Sequence, residues 1–228
     1  KVDTAGLIVD SNRPTITKTR VMAGGQATVR QQIVRIDKEK KEPLSVDIEQ
    51  AVRQYIAHNI SNMDAVVISD YGSNTITSLI IRSVIDACQE RYIPCMVDSR
   101  YNIMEYGGIT VVKQNESEAA AAVGYDIVDL DTLLSAGQCI LEKLNAQAVL
   151  ISRGPDGMSL FEQSGKVTHI PVTNKSEVYD VTGAGDTVVS TMILALAAGA
   201  SYEDAARLSN FAAGIVVKKP GTATTPPN

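Results

Sequence analysis

Tryptophan is absent from this 228-residue chain, and phenylalanine and histidine occur twice each. Two histidines and three cysteines (Cys88, Cys95, Cys139) with no Cys-x-x-Cys pair leave too few ligands for a zinc centre. Reduced, buried thiols in a cytoplasmic protein are the economical expectation. Positive charge is scarce too. The net charge is −5, so no general attraction to nucleic acid or to an anionic membrane is expected. The longest apolar run, 188–200, is too short to span a bilayer, and no signal peptide opens the chain. A Gly-x-x-x-x-Gly-Lys-Ser/Thr phosphate loop is missing. The dinucleotide fingerprint Gly-x-Gly-x-x-Gly also fails, because Val188 holds the third glycine position and Glu203, about twenty residues on, opens a helix instead of ending a strand. There is no internal repeat and no low-complexity tract.

What remains is ordinary globular material, 44% hydrophobic and 21% charged. Residues 1–40 read as a small β-sheet. Gly6–Asp10 is a short strand, Thr15–Val21 alternates with Ile16, Lys18 and Arg20 on one face, Gly24-Gly25 turns the chain, and Gln31–Ile36 returns. Its cations either solubilise a strand face or form a lid that carries positive charge to an anionic substrate. Residues 41–228 change rhythm. Helices at 45–60, 75–91 and 133–144 alternate with short apolar strands at 65–69, 93–97, 109–112 and 148–151, and a hairpin spans 158–172. That pattern implies an α/β fold with a parallel sheet covered on both faces. Asp70-Tyr-Gly72, Asp98-Ser-Arg100, Lys113-Gln-Asn-Glu116 and Ser152-Arg-Gly154 each follow a buried strand. Open α/β sheets bind ligands beyond their strand C-termini, so these residues predict one crevice on one sheet edge.

The segment Asp180-Val-Thr-Gly-Ala-Gly-Asp186 runs directly into an apolar helix-forming stretch. Gly183 and Gly185 allow a tight turn whose amides converge, and the helix adds its positive end and unpaired N–H groups. Asp186 stands beside that anion site, where a carboxylate can take the proton of a hydroxyl attacking a phosphoryl group. Taken alone, a Gly-x-Gly before a helix is more often a plain tight turn than a catalytic site. Asn115-Glu-Ser-Glu118 has the form of a capping box, and Ser152-Arg153-Gly154-Pro-Asp-Gly157 that of a β-turn.

Taken together, Asp180-Val-Thr-Gly-Ala-Gly-Asp186, Asn115-x-x-Glu118 and Ser152-Arg153-Gly154-x-x-Gly157-Met resemble the motifs of the ribokinase-like (phosphofructokinase-B-type) carbohydrate kinases. The resemblance implies a three-layer α/β/α fold with a mostly parallel sheet and a β lid. It implies Asp186 as catalytic base, with the Gly183, Ala184 and Gly185 amides on the transferring phosphoryl group. Asn115 and Glu118 would organise Mg2+ through water around ATP, and Ser152, Arg153, Gly154, Gly157, Asn210 and Gly221 would line the nucleotide. Asp180 and Thr182 would hold a monovalent cation such as K+. Lys18, Arg20, Asp70 and Asp98 would face the sugar.

Residues 13–20, 31–37, 69–72 and 153–161 are similar to bacterial heptose-7-phosphate kinases, which phosphorylate the anomeric hydroxyl of D-glycero-D-manno-heptose 7-phosphate for lipopolysaccharide core synthesis. An exposed lid sheet needs a partner or its own cover, so a homodimer through the lid is expected. The chain departs from those relatives at Ser73-Asn74 and Ser99-Arg100, and it lacks their Gly-Asp-x-x-x-Asp and Gly-Gly-x-x-x-Asn segments. Another sugar or nucleoside kinase of the superfamily, or a nucleotide-binding or dimerising remnant without turnover, therefore stand as alternatives.

Overall fold

The computed structural model describes residues 2–24, 31–173, 180–219, 221 and 223–225. Its first sheet is the antiparallel ribbon β1 (Thr17–Ala23) and β2 (Gln31–Lys38), with Thr17 opposite Lys38 and a bulge at Val21/Met22. Gly25 of the expected turn lies outside the described residues. Residues 7–10 join no sheet among the described residues. Leu7 and Val9 are exposed, and an apolar run makes a strand only where a neighbouring strand takes up its backbone groups.

The second sheet has six strands in sequence order: β3 (Val66–Asp70), β4 (Cys95–Ser99), β5 (Val111–Asn115), β6 (Ala148–Ser152), β7 (Met158–Glu162) and β8 (Val167–Ile170). The pairs from β3 to β6 are parallel, and β7 and β8 close the edge as an antiparallel hairpin. Neighbouring residues on the central strands alternate between two cores, as a pleated sheet buried on both faces requires. Val97, Val112 and Val149 meet α1 (Val46–Asn59), α2 (Ser78–Arg91) and α4 (Leu130–Leu144). Met96, Val111 and Leu150 meet α5 (Ala184–Ala197) and α6 (Tyr202–Val216) on the opposite face. This is the three-layer architecture that the alternating pattern implied.

The crossover from β4 to β5 carries only a one-turn helix, Ile103–Glu105, in place of a covering helix. The short α3 (Glu116–Val123) follows β5 without a break. Cys88 and Cys95 are free and buried in the core. No helix among the described residues is long and apolar enough to cross a membrane.

Candidate active site

The C-terminal ends of β3 to β6 deliver Asp70, Asp98, Asn115 and Ser152 to one edge of the sheet. The N-terminus of α5 arrives at the same edge. Gly183 is its N-cap, in the left-handed conformation at φ 81°, and offers no capping side chain. The Ala184 amide closes the turn onto the Val181 carbonyl at 3.2 Å, and Thr187 makes the first helical bond, to Gly183. Among the described residues the amides of Gly183, Gly185 and Asp186 meet no backbone acceptor. A helix N-terminus left open in this way attracts anions. Asp186 lies exposed beside it in the first turn.

One expectation needs correcting. Gly185 supplies no turn, since its backbone is helical and only Gly183 takes a positive φ. A Cβ on Gly185 would instead lie 3.2 Å from the Lys113 ammonium. Lys113 is 6% exposed on the central strand, and its Nζ donates to Asp98 Oδ1 at 3.3 Å. Burial raises the Asp98 carboxyl above its ordinary value against the lowering pull of Lys113, and the nearby Glu118 and Asp186 carboxylates add to the rise. The sequence placed Lys113 among the polar residues after a buried strand, without an individual role. The available signal was a charged residue continuing the buried strand that starts at Val111.

Asn115 and Glu118 do form the capping box: Asn115 Oδ1 accepts the Glu118 amide and Glu118 Oε2 accepts the Asn115 amide, both at 2.8 Å. Glu118 Oε1 is left over and faces the Arg100 guanidinium at 3.9 Å. Among the described residues no group of three or more His, Cys, Asp or Glu is placed to hold a metal. A magnesium ion that keeps most of its water fits such a site, because isolated carboxylate and amide oxygens suffice for it.

Arg100 and Lys18 both lie over the Tyr71 ring, 5.4 and 5.1 Å from its centroid. Lys18 and Arg20 line a cleft of about 520 Å³ with Asp70, Tyr71, Ser73 and Thr75. A smaller adjoining cleft of about 260 Å³ adds Arg35 and Lys41. Contacts thus run from the ribbon through Tyr71 and Arg100 to Glu118, and on the neighbouring strands from Asp98 through Lys113 to Gly185.

Other expected residues carry structural contacts. Asp70 is 5% exposed, and its carboxylate accepts from the Gly72 amide at 2.8 Å, Ser99 Oγ at 3.0 Å and Tyr106 OH at 2.9 Å. Burial, then the Asp70 charge, pushes the Tyr106 phenol well up. Arg153 donates to Glu116 Oε1 at 3.0 Å, and Ser152 Oγ donates to the Gln114 carbonyl at 3.3 Å. Asn210 is buried, and its amide donates to the Pro171 carbonyl at 2.8 Å. Asp180 accepts the Thr182 amide at 2.9 Å and the Gly221 amide at 3.1 Å, which holds its carboxyl below the usual range and ties Gly221 to the signature turn. Pro220 and Thr222, beside Gly221, lie outside the described residues. A hollow of about 650 Å³ beside α3, lined by Glu116, Tyr125 and Asp126 among others, holds only Glu116 of the residues expected at the strand ends.

The pfkB family carbohydrate kinase model matches residues 1–228. The chain is 42% identical over 227 residues to the bifunctional protein HldE of Geobacter metallireducens and 40% identical to that of Geobacter sulfurreducens, covering 99% of this chain and 45% of each relative. It therefore spans about half the length of the curated relatives it matches. Among solved structures, Escherichia coli phosphofructokinase-2 in complex with potassium superposes with a TM-score of 0.71 at 24% identity, over 84% of this chain and 62% of that one. Arabidopsis thaliana ribokinase complexed with ribose and ATP gives 0.67 at 23% identity, over 92% and 65%. At these identities the two structures speak to the fold alone.

Proposed function

We propose, from the premise that the chain belongs to the pfkB family of carbohydrate kinases, that the crevice moves the terminal phosphoryl group of ATP onto a hydroxyl of a sugar already carrying a phosphate. The class of chemistry is that of a phosphotransferase with an alcohol acceptor. The most specific reading is D-glycero-D-manno-heptose 7-phosphate, phosphorylated at its anomeric hydroxyl to the 1,7-bisphosphate in the cytoplasm, for lipopolysaccharide core synthesis. It rests on the resemblance of residues 13–20, 31–37, 69–72 and 153–161 to heptose-7-phosphate kinases. The observation that carries the reading is the meeting, at one sheet edge, of open α5 amides, the Asp186 carboxylate and the cations around Tyr71.

The sugar sits between the ribbon and the strand ends, its existing phosphate against Lys18, Arg20 and Arg100. Asp186 takes the proton of the attacking hydroxyl. The Gly183 and Gly185 amides, aimed by the helix, take up charge on the phosphoryl oxygens. Asp98, Asp70 and Tyr106 hold the strand ends in place around the sugar. The nucleotide lies along Ser152, Arg153, Gly154, Gly157, Asn210 and Gly221. Magnesium, when bound, neutralises phosphate charge, and Asn115 and Glu118 would hold it through water. A monovalent cation such as potassium would share the Asp180 carboxylate with the amides already bonded to it, next to Thr182.

A second copy of the chain is proposed to cover the β1–β2 ribbon. Val21, Met22, Ile33, Val34 and Ile36 are exposed there, and two strands alone bury too little to stand in water.

The test is turnover with ATP on a panel of phosphorylated heptoses, hexoses and pentoses, with Asp186→Asn beside the wild type. The variant should lose about 10²- to 10⁴-fold in kcat while ATP affinity holds. Near-normal turnover in Asp186→Asn would remove that residue from its role. No transfer to any sugar phosphate would overturn the kinase reading. Preference for a hexose or pentose would reassign the sugar alone.

A further inference from the structure

We infer that Lys113 is a further catalytic residue, its ammonium contacting the oxygens of the phosphoryl group in transit beside the α5 amides; this rests on the kinase reading above. Three observations meet at this side chain. First, Lys113 pairs in register with Asp98, and both side chains stand on the sheet face that α5 covers. Second, the ammonium abuts Gly185, where a Cβ would come within 3.2 Å of Nζ. The second glycine of the signature thus clears space for a cation. Third, an ammonium carries three donor protons, and among the described residues that of Lys113 makes one hydrogen bond, to Asp98.

The electrostatics favour an incoming anion. A helix N-terminus carries a fractional positive charge, so a nearly buried ammonium placed against it is repelled. Asp98 offsets the charge of the ammonium and Asp186, in the first turn of α5, part of the helix dipole, while two of the ammonium's donor protons meet no acceptor among the described residues. A phosphoryl group in transit presents three equatorial oxygens with spread negative charge. Placed at the open amides, it brings that charge within reach of the Lys113 ammonium. In the reaction the sugar oxygen forms the new bond to phosphorus and its proton passes to Asp186. The bridging oxygen leaves with the bonding electron pair on the nucleoside diphosphate. Lys113 stays protonated throughout and acts by charge alone.

The rival role is that of a counter-ion for Asp98 with no part in the reaction. The two separate in a split readout on the intact protein. Lys113→Met should lower kcat about 10²- to 10³-fold, the loss typical of one preorganised donor. KM for ATP and for the sugar phosphate should stay within about threefold. Binding of ADP with aluminium fluoride and sugar phosphate, which mimics the group in transit, should weaken by a comparable factor. A folded Lys113→Met with kcat within about threefold of wild type overturns the proposal. So does a loss of kcat with unchanged affinity for the aluminium fluoride complex.

Should Lys113→Met fail to fold, Lys113→Ala assayed with ethylammonium decides the matter. Saturable recovery of about tenfold or more supports the proposal, since the added cation replaces the missing one, and no recovery overturns it. A wild type inert toward every sugar phosphate sinks the parent reading and this proposal together. An active wild type with an indifferent Lys113→Met sinks the proposal alone.

Discussion

Gly157 belongs to the segment expected to lie along the nucleotide, and Gly157→Ala separates a ligand role from a structural one. Its backbone sits at φ 85°, ψ −127°, a region that residues with a Cβ enter at a cost of about 1–3 kcal/mol. A Cβ there would also lie 2.0 Å from the Ile170 carbonyl oxygen and 2.9 Å from Pro171 backbone atoms. That carbonyl ends β8, whose Ile170 pairs with Met158, so relief requires opening the hairpin. Overpacking of this kind adds about 1–3 kcal/mol, for a total of roughly 2–6 kcal/mol. In a chain of this size each kcal/mol moves Tm by about 2–4 °C, so Tm should fall by roughly 4–24 °C. Gly154 is the internal control. It has φ 53° and nothing within 4 Å of its Cβ position, a conformation asparagine tolerates. Gly154→Asn should then unfold within about 1 kcal/mol of wild type. Urea titration followed by circular dichroism gives both numbers, and nucleotide binding is measured separately. If Gly157→Ala unfolds within about 0.5 kcal/mol of wild type yet loses nucleotide affinity, the glycine serves the ligand and the packing argument is wrong.

Tyr106→Phe removes the buried hydroxyl donor to Asp70. It should cost about 1.5–3 kcal/mol in urea unfolding, the range for a hydrogen bond to a charged group, and a loss under about 0.5 kcal/mol would mean that Asp70 is satisfied without it. Ile33→Glu places charge on a ribbon residue that is 64% exposed, so light scattering should report a smaller species with unchanged circular dichroism; an unaltered mass would move the dimer contact elsewhere. Asp129 caps α4, and its bonds to the Thr132 side chain and amide hold its carboxyl below the ordinary value. A depressed native pKa gives stability that is present above the unfolded value of about 3.9 and lost as pH falls through the native one. Asp129→Asn keeps the cap without the charge, so any wild-type advantage at neutral pH should vanish on acidification; an advantage that persists at the lowest pH would contradict the sign.

Much of the fold was legible because burial leaves a periodic trace. The continuous apolar strands and the amphipathic 133–144 stretch became a two-faced parallel sheet and its covering α4. The failures share a cause, which is that pairing and packing partners are not written locally. Gly6–Asp10 had strand composition and no neighbouring strand to bond with. Asp70 and Asp98 looked alike as acids after strands. Yet Tyr106 and Ser99, distant in sequence, saturate Asp70, while Asp98 faces Lys113 and senses Asp186. One carboxylate is pinned by neutral donors and the other lies in a field of charges, although the sequence presents them identically.

The signature turn makes the same point at a finer scale. Gly-Ala-Gly reads as one flexible hinge, because a sequence shows that a Cβ is missing without showing what would have struck it. The two absences serve different purposes. At Gly183 the backbone needs φ 81° to start a helix without a capping side chain, which leaves amides open. At Gly185 the backbone needs nothing unusual, and the missing atom clears room for the ammonium of a strand some seventy residues earlier. An alanine therefore meets backbone strain in open space at position 183, and at position 185 an unstrained backbone with the Lys113 ammonium 3.2 Å away. Any loss of turnover at 185 would arise through displacement of Lys113, a distinction the spacing of the motif alone could never express.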